Sequence, residues 1–573
     1  MRAFLADLLL VLFIATLAVG VGSNASAGNG EDVRFRRGGG SAAFGADTLL
    51  TDTLRRLIES ARHPYLRWPK YPDYRVDLEA LYSGSGYGPI WLENDRPTTQ
   101  AQAAIDALLS ADTHGLRPDD YDAPRLAAVL DSILAGEPID GSGLALFDAA
   151  LSVGFLRFLE SLYRGRVNPG NLHLGFDLAP PRLDLAAVLG RAIERGEIEE
   201  TVARTAPGSP RYARLRGLLA VYRELAAREP PSVPVRPVVR PGDAYEGTEA
   251  LRQRLVALGD LPTDAARPGI RRYDGPIVAA VECFQARHGL EVDGVLGRET
   301  FAALNTPIAA RVEQIELAME RMRWTREVED TPAVFVNIPA FGLRVFDPKL
   351  GEDRPVLEMR VVVGAAVDKQ TPAFRSDIRY IEFSPYWNVP YSIAVAEVLP
   401  AIARNPDYLA SHRMEIVREF SPDAEALPQT AENLAAVRSG RLKLRQLPGP
   451  GNSLGGAKFI FPNPKNVYLH ATPATQLFAR SRRDFSHGCI RLEDPVALAE
   501  WLLNDQQEWT RERIEKAMQA GSPLRVDLLR PVPVVIVYTT VTVNGDQPHF
   551  YGDVYGHDAH LRAALSVGYP YPA

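Results

Sequence analysis

Cysteine is almost missing from this sequence: 573 residues hold two, at 283 and 489. Two thiols cannot build a disulfide framework or a four-cysteine zinc site, so any chemistry done by cysteine is done by one residue alone. An excess of charge is missing too. With 64 Lys and Arg against 71 Asp and Glu the formal charge is −7, which excludes a binder that relies on bulk attraction to nucleic acid. The apolar run near the amino terminus, Leu8 to Val21, is 14 residues long, short of the ~20 a membrane span needs. What remains is 46% hydrophobic and 24% charged, with 45 Gly and 45 Pro spread along the chain. That is a soluble globular composition, and the length suits about three or four folding units.

The organisation changes along the chain. Leu8 to Val21 is apolar, preceded by Arg2 and followed by Ala25-Ser26-Ala27. This pattern predicts a signal peptide over 1–27, with an uncleaved anchor as the alternative. Residues 28–46 form a Gly/Ser/Arg-rich leader. From 47 to 229 the period is helical; Leu144, Phe147, Leu151, Phe155, Phe158 and Leu162 draw one stripe, and several such stripes predict a helical scaffold. The stretch 230–241 is Pro-rich and reads as a stiff linker.

A small unit spans 242–306. Leu251, Leu255 and Leu258 precede Gly259, and Ile277, Val281, Phe284 and His288 recur at helical spacing. Gly289-Leu290, Asp293-Gly294 and Gly297-Arg298-Glu299-Thr300 close it, with Thr300 expected to cap the last helix. These residues resemble the peptidoglycan-binding type 1 module, a three-helix fold, with the first half of its usual repeat degenerate. Cys283 reads as a buried, inert thiol of this unit. A connector helix follows over 307–331, with Thr306 expected at the N-cap and Pro307 at the first helical position. From Pro332 the period becomes two, predicting a β-rich domain over 332–530. A helical, polar lid is inserted at about 393–452, and a strand-like extension occupies 531–573.

One stretch carries chemistry. Ser486-His487-Gly488-Cys489-Ile490-Arg491 lies in a turn between Val467-Tyr468-Leu469-His470 and the helix expected from Pro495. A thiol near cationic neighbours is the make-up of a thiolate nucleophile, whose pKa such neighbours bring down to roughly 3.5–7.5. Gly488 permits close backbone approach, so the N–H groups of Gly488 and Cys489 are candidates for an oxyanion hole. Spacing leaves both His470 and His487 open as the base. A zinc site lacks a fourth ligand at a recognised spacing, and a redox pair lacks a resolving cysteine.

His470, fifteen residues, then Ser486-His487-Gly488-Cys489 resembles the signature of the L,D-transpeptidase (YkuD-like) family. Tyr386-Trp387-Asn388-Val389-Pro390, Pro448-Gly449 with Asn452 and Leu454-Gly455, and Lys458-Phe459 with Phe461-Pro462-Asn463 agree with it. The plan resembles the large periplasmic type: multidomain α+β, with a helical scaffold, a three-helix peptidoglycan-binding-like module and a β-rich catalytic domain with a helical lid. The resemblance implies Cys489 as nucleophile and His470 as base, oriented by the carbonyl of Ala471. It implies backbone N–H groups of His487, Gly488 and Cys489 facing the intermediate. Arg491, Ser486, Tyr468, Trp387 and Asn388 would line the substrate side; for Arg491 an ion pair with Glu493 or Asp494 is the structural alternative. No cofactor or metal is implied. The partners would be peptidoglycan stem peptides, donor and acceptor, together with wall-synthesis proteins, and no nucleic acid. The implied reaction is 3→3 cross-linking through a thioester with release of D-alanine, sensitive to carbapenem-type β-lactams. An L,D-carboxypeptidase, an amidase that detaches a wall protein, and a non-catalytic wall-binding scaffold are the alternatives.

Overall fold

The structure is a computed structural model, and it describes residues 46–172, 182–265, 271–325, 331–350 and 354–568. The expected signal peptide and nearly all of the leader lie outside the described residues. The fold is mixed: a helical amino-terminal region, a three-helix module and a β-rich domain.

The scaffold is built around the helix Gly141–Arg164, which Asp140 caps by accepting the Gly143 N–H at 2.8 Å. Its six-residue apolar stripe is buried throughout. The helix is long and apolar enough to cross a membrane, yet 83% of its most apolar window is covered by neighbouring elements. It therefore serves as a core helix. Its buried carboxylate Asp148 is satisfied internally, accepting from Tyr82 Oη (2.6 Å) and the Trp91 N–H (2.8 Å), and burial pushes that carboxyl up to about 6.

The connector helix spans Ile308–Arg323 and packs into the scaffold core through Ile308, Ile315, Ala318 and Met319. Its start differs from expectation. Pro307 is the N-cap, Thr306 Oγ1 donates back to Ala302, and Glu229 Oε2 takes the Ile308 N–H at 2.8 Å. A carboxylate 79 residues upstream does the capping.

The module has its three helices, Thr248–Ala257, Pro276–Arg287 and Arg298–Leu304. Two expectations fail there. Cys283 is exposed, because Ile277, Ala280, Val281 and Phe284 turn the other face of its helix inward. Thr300 caps nothing; it is buried, and its hydroxyl donates to the Val295 carbonyl at 3.2 Å. The Pro-rich stretch is no free spacer either. Val233 and Val239 are buried in the module core, and Val239 bridges to Leu296.

The β-rich domain is a barrel. Its strands are β1 (Ala333–Asn337), β2 (Gly342–Phe346), β3 (Leu357–Gly364), β4 (Phe374–Phe383), then after the lid β8 (Ala457–Ile460), β9 (Leu469–His470), β10 (Asp484–Ser486), β11 (Ile490–Leu492) and β12 (Leu524–Val537). The order β3-β11-β9-β8-β4-β12-β1-β2 closes through a β2–β3 pairing, with β10 added beside β3. Alternate residues such as Val361, Ile381, Phe459, Leu469 and Ile490 fill the interior. The strand β12 runs straight through position 530, so a domain boundary drawn there cuts a strand. The lid holds more than helices: β5 (Trp387–Asn388), β6 (Met414–Val417) and β7 (Lys443–Gln446) form a three-stranded sheet in the order β5-β7-β6. Its own core includes Val398, Leu399, Ile416 and Leu444.

Beyond the barrel, a hairpin of β13 (Val541–Asn544) and β14 (Gln547–Phe550) joins all three units. Val541, Val543 and Phe550 enter the scaffold core. The Phe550 ring lies 5.4 Å from Tyr222 and 5.7 Å from His288 of the module, with the Arg311 guanidinium 4.8 Å above it. Phe550→Ala is expected to cost about 3–5 kcal/mol. Calorimetry should show the scaffold and module unfolding at lower temperature.

Candidate active site

Strand register assembles the site. In parallel pairing, Leu469 faces Ile490 and His470 faces Arg491. In antiparallel pairings Lys458 faces both His470 and Glu382, and Glu382 also faces Arg525. Because Leu469 and Ile490 point into the barrel, their neighbours point outward. Arg525, Glu382, Lys458, His470 and Arg491 thus form one cross-strand row outside the barrel. Tyr468 and Cys489 lie in the adjoining row, joined by an Ile490 N–H to Tyr468 carbonyl bond of 3.1 Å. Cys489, just ahead of β11, and His470 on β9 are diagonal neighbours on this outer face.

His470 is 4% exposed. Its Nδ1 lies 2.5 Å from the Ala471 carbonyl. A carbonyl only accepts, so Nδ1 carries the proton and the lone pair sits on Nε2. The covering loop approaches closely at Gly455, which has φ +61; a Cβ there would stand 2.6 Å from that of Ala471. Burial, helped by the charges of Arg491 and Lys458, pushes the imidazole down to about 3. It rests neutral.

Cys489 is half-buried, and its thiol donates to the Asn466 carbonyl at 3.8 Å. Asn466 adopts φ +53, a left-handed conformation that Asn tolerates better than most residues. Here the structure corrects the expectation of a preformed thiolate. Burial pushes the thiol pKa up; hydrogen bonds from Tyr468 and the charges of Lys458 and Arg491 oppose the rise without cancelling it. Desolvation outweighs two nearby cations.

The oxyanion expectation is corrected in part. The Gly488 N–H is taken by Ser486 Oγ at 3.1 Å, and that hydroxyl donates to the Cys489 carbonyl at 2.5 Å. Among the described residues the Cys489 N–H meets no acceptor. Gly488 has φ +114, which a side chain would strain. Its carbonyl accepts from Thr371 Oγ1 at 2.8 Å, and that hydroxyl oxygen in turn accepts the Gly364 N–H at 2.8 Å. Tyr555 Oη donates to the Gly364 carbonyl at 2.6 Å. Neither Thr371 nor Tyr555 was singled out by sequence.

Residues 331–536 match the family model described as the L,D-transpeptidase catalytic domain, YkuD. They are an L,D-transpeptidase catalytic domain. Residues 76–219 match a scaffold domain, and residues 245–304 a model described as "Putative peptidoglycan binding domain". A Haemophilus influenzae protein named "Putative L,D-transpeptidase" is 28% identical over 250 residues, 44% of this chain and 49% of that protein. The chain thus spans about half the length of the curated relative it matches.

On the outer face of the transpeptidase domain, Arg491 makes no ion pair with either suggested partner. Glu493 is held by Arg360 (2.9 Å), and Asp494 caps the next helix through the Ala497 N–H (2.9 Å). Among the described residues Arg491 Nε is buried without a hydrogen-bond partner. His487, open as a base on spacing, is engaged elsewhere: its Nε2 lies 2.5 Å from Oε1 of Glu397 on the lid. Trp387 and Asn388 form the lid strand β5, opposite Gln446 and Arg445, and are not brought into the row with His470.

Lys458 is the residue sequence reasoning passed over. Its alternation with the core residue Phe459 could have placed it on the face of His470. Its Nζ stands 4.2 Å from the Tyr468 ring centre. Lys458→Met is expected to raise the Cys489 pKa further and to slow iodoacetamide alkylation at pH 8 about three- to tenfold, with Lys458→Arg restoring most of it. Alkylation rates across pH check this.

Proposed function

We propose that the domain catalyses acyl transfer between peptidoglycan stem peptides through Cys489. The thiol passes its proton to His470 Nε2 as the sulfur attacks the carbonyl of the L-centre of the third-position diamino acid in a tetrapeptide stem. Charge developing on that oxygen is met by the Cys489 N–H. Collapse of the intermediate expels D-alanine, whose nitrogen takes the proton from His470, and leaves a thioester. The side-chain amine of a second stem then resolves the thioester into a 3→3 cross-link. The observation that carries this reading is the shared outer face: a thiol, an imidazole of fixed tautomer and a guanidinium with a buried, unpartnered Nε, from two adjacent strands. A neutral pair activates its nucleophile at the moment of attack, which general-base catalysis permits.

The reading includes an exported protein working on the wall side of a membrane, and acylation of Cys489 by carbapenem-type β-lactams. Incubation with a purified disaccharide tetrapeptide and mass analysis of the products tests it. A cross-linked dimer with free D-alanine is the expected result; tripeptide alone would indicate a carboxypeptidase, and unchanged substrate a scaffold role.

A further inference from the structure

The acyl transfer above uses one imidazole, and His487 stands outside it. His487 lies two residues before Cys489, and its Nε2 meets Oε1 of Glu397 at 2.5 Å. Glu397 belongs to the turn Ala394–Val398 of the lid, which is wound as a π-helix, a local form frequent at functional sites. Lys369 Nζ reaches the same Oε1 at 3.1 Å. Lys369 comes from the loop nearest Gly488: the carbonyls of 369 and 370 stand 3.8 and 3.9 Å from where a Cβ would be.

Both bonds fall on Oε1, so among the described residues Oε2 of Glu397 has no donor. All three side chains are open to solvent, His487 at 33%, Lys369 at 42% and Glu397 at 45%. The cluster lies beside the cysteine loop, holds a primary ammonium and has a carboxylate oxygen to spare. A thioester at Cys489 must next meet an amine. An alkyl ammonium ordinarily titrates near 10.4 and loses two protons on the way to an amide, one before attack and one after. His470 is sealed beneath its covering loop and is a weak base. It is placed for the second proton, at the sulfur.

We propose that Glu397 and His487 form the acceptor site, where a primary ammonium on a flexible aliphatic side chain docks on Glu397 in the place now held by Lys369 and gives its first proton to His487. This deepens the transpeptidase reading and rests on it. The first proton passes from His487 to water. The freed nitrogen lone pair attacks the thioester carbonyl, and the C–S bond breaks as the C–N bond is completed. The second N–H proton travels through His470 Nε2 to the departing sulfur. The products are an amide and the free thiol, with one proton released. Lys369 is an internal competitor that the acceptor displaces.

The test uses the full chain turning over the disaccharide tetrapeptide, with Nα-acetyl-lysinamide as acceptor. The ratio of amide product to hydrolysed tripeptide is read within each variant, so any loss of acylation divides out. Glu397→Gln is expected to lower that ratio about tenfold at sub-saturating acceptor, with partial recovery in Glu397→Asp. Hydroxylamine is neutral near pH 7.5 and needs no ammonium dock, so its ratio should stay unchanged. Lys369→Met, an exposed substitution, should lower the half-saturating acceptor concentration several-fold, and it keeps the test alive if Glu397→Gln folds poorly. An unchanged lysinamide ratio in Glu397→Gln, an equal fall with hydroxylamine, or no change in Lys369→Met overturns the acceptor site. Absence of D-alanine release from the wild type overturns the transpeptidase reading itself.

Discussion

Cys489→Ala is expected to remove D-alanine release from a tetrapeptide donor, a fall of at least ~10³-fold, with the melting temperature moved by only a few degrees. The two halves of that result come from different features. Loss of the sulfur deletes the atom that would form the thioester, and no second thiol stands near, since Cys283 lies exposed on the module. Stability hardly depends on the thiol, whose contacts are the weak bonds of sulfur: an S–H donation of 3.8 Å to the Asn466 carbonyl and the bonds with Tyr468. The loop is held instead by Ser486 and Thr371. Mass analysis of the tetrapeptide incubation, beside a melting curve, checks both. D-alanine release persisting in the variant would place the nucleophile elsewhere.

His470→Gln should lower acyl-enzyme formation by ~10²–10⁴-fold, the ordinary worth of a positioned base. The resting charge state adds a pH signature. An ion pair of thiolate and imidazolium would give fast alkylation, level from below pH 7. Here the thiol pKa is raised and the imidazole lies at about 3. Thiolate therefore accumulates only as pH climbs through the raised value, and alkylation by iodoacetamide should keep rising past pH 9. Below about pH 3 His470 protonates and acyl transfer stops. A level alkylation rate between pH 5 and 8 would contradict the neutral pair.

What could be read from the chain beforehand was mostly local. The cysteine motif, the helical stripe of Gly141–Arg164, the three short module helices and the change of period at Pro332 each depend on residues close together in sequence. Errors arose where partners are distant or where two rules compete. The Ile308 N–H is capped by Glu229, which no Thr-Pro rule at 306–307 could reveal. The boundary expected at 530 falls inside β12, which carries Pro531 and Pro533 beside an irregularity in its pairing with β4 between Asp527 and Val532. The thiol shift depended on burial, which the basic neighbours alone do not report. The family resemblance puts Ser486 among substrate contacts, whereas its bond to the Gly488 N–H depends on the shape of one tight turn. Lys458 was in plain view, and its alternation with Phe459 was the unused signal that puts it on the face of His470.

The strand β12 sits between β4 and β1 in the closed order, although its residues come about 190 positions after those of β1. A ribosome delivers β1 to β11 well before the stave that joins them. Until residues 524–537 emerge, β1 and β4 each have a bare edge along that seam, and the face that carries His470 and Cys489 belongs to an unclosed sheet. Chains interrupted before that point should be catalytically silent and prone to stick to one another, so that activity is withheld until this strand has been made.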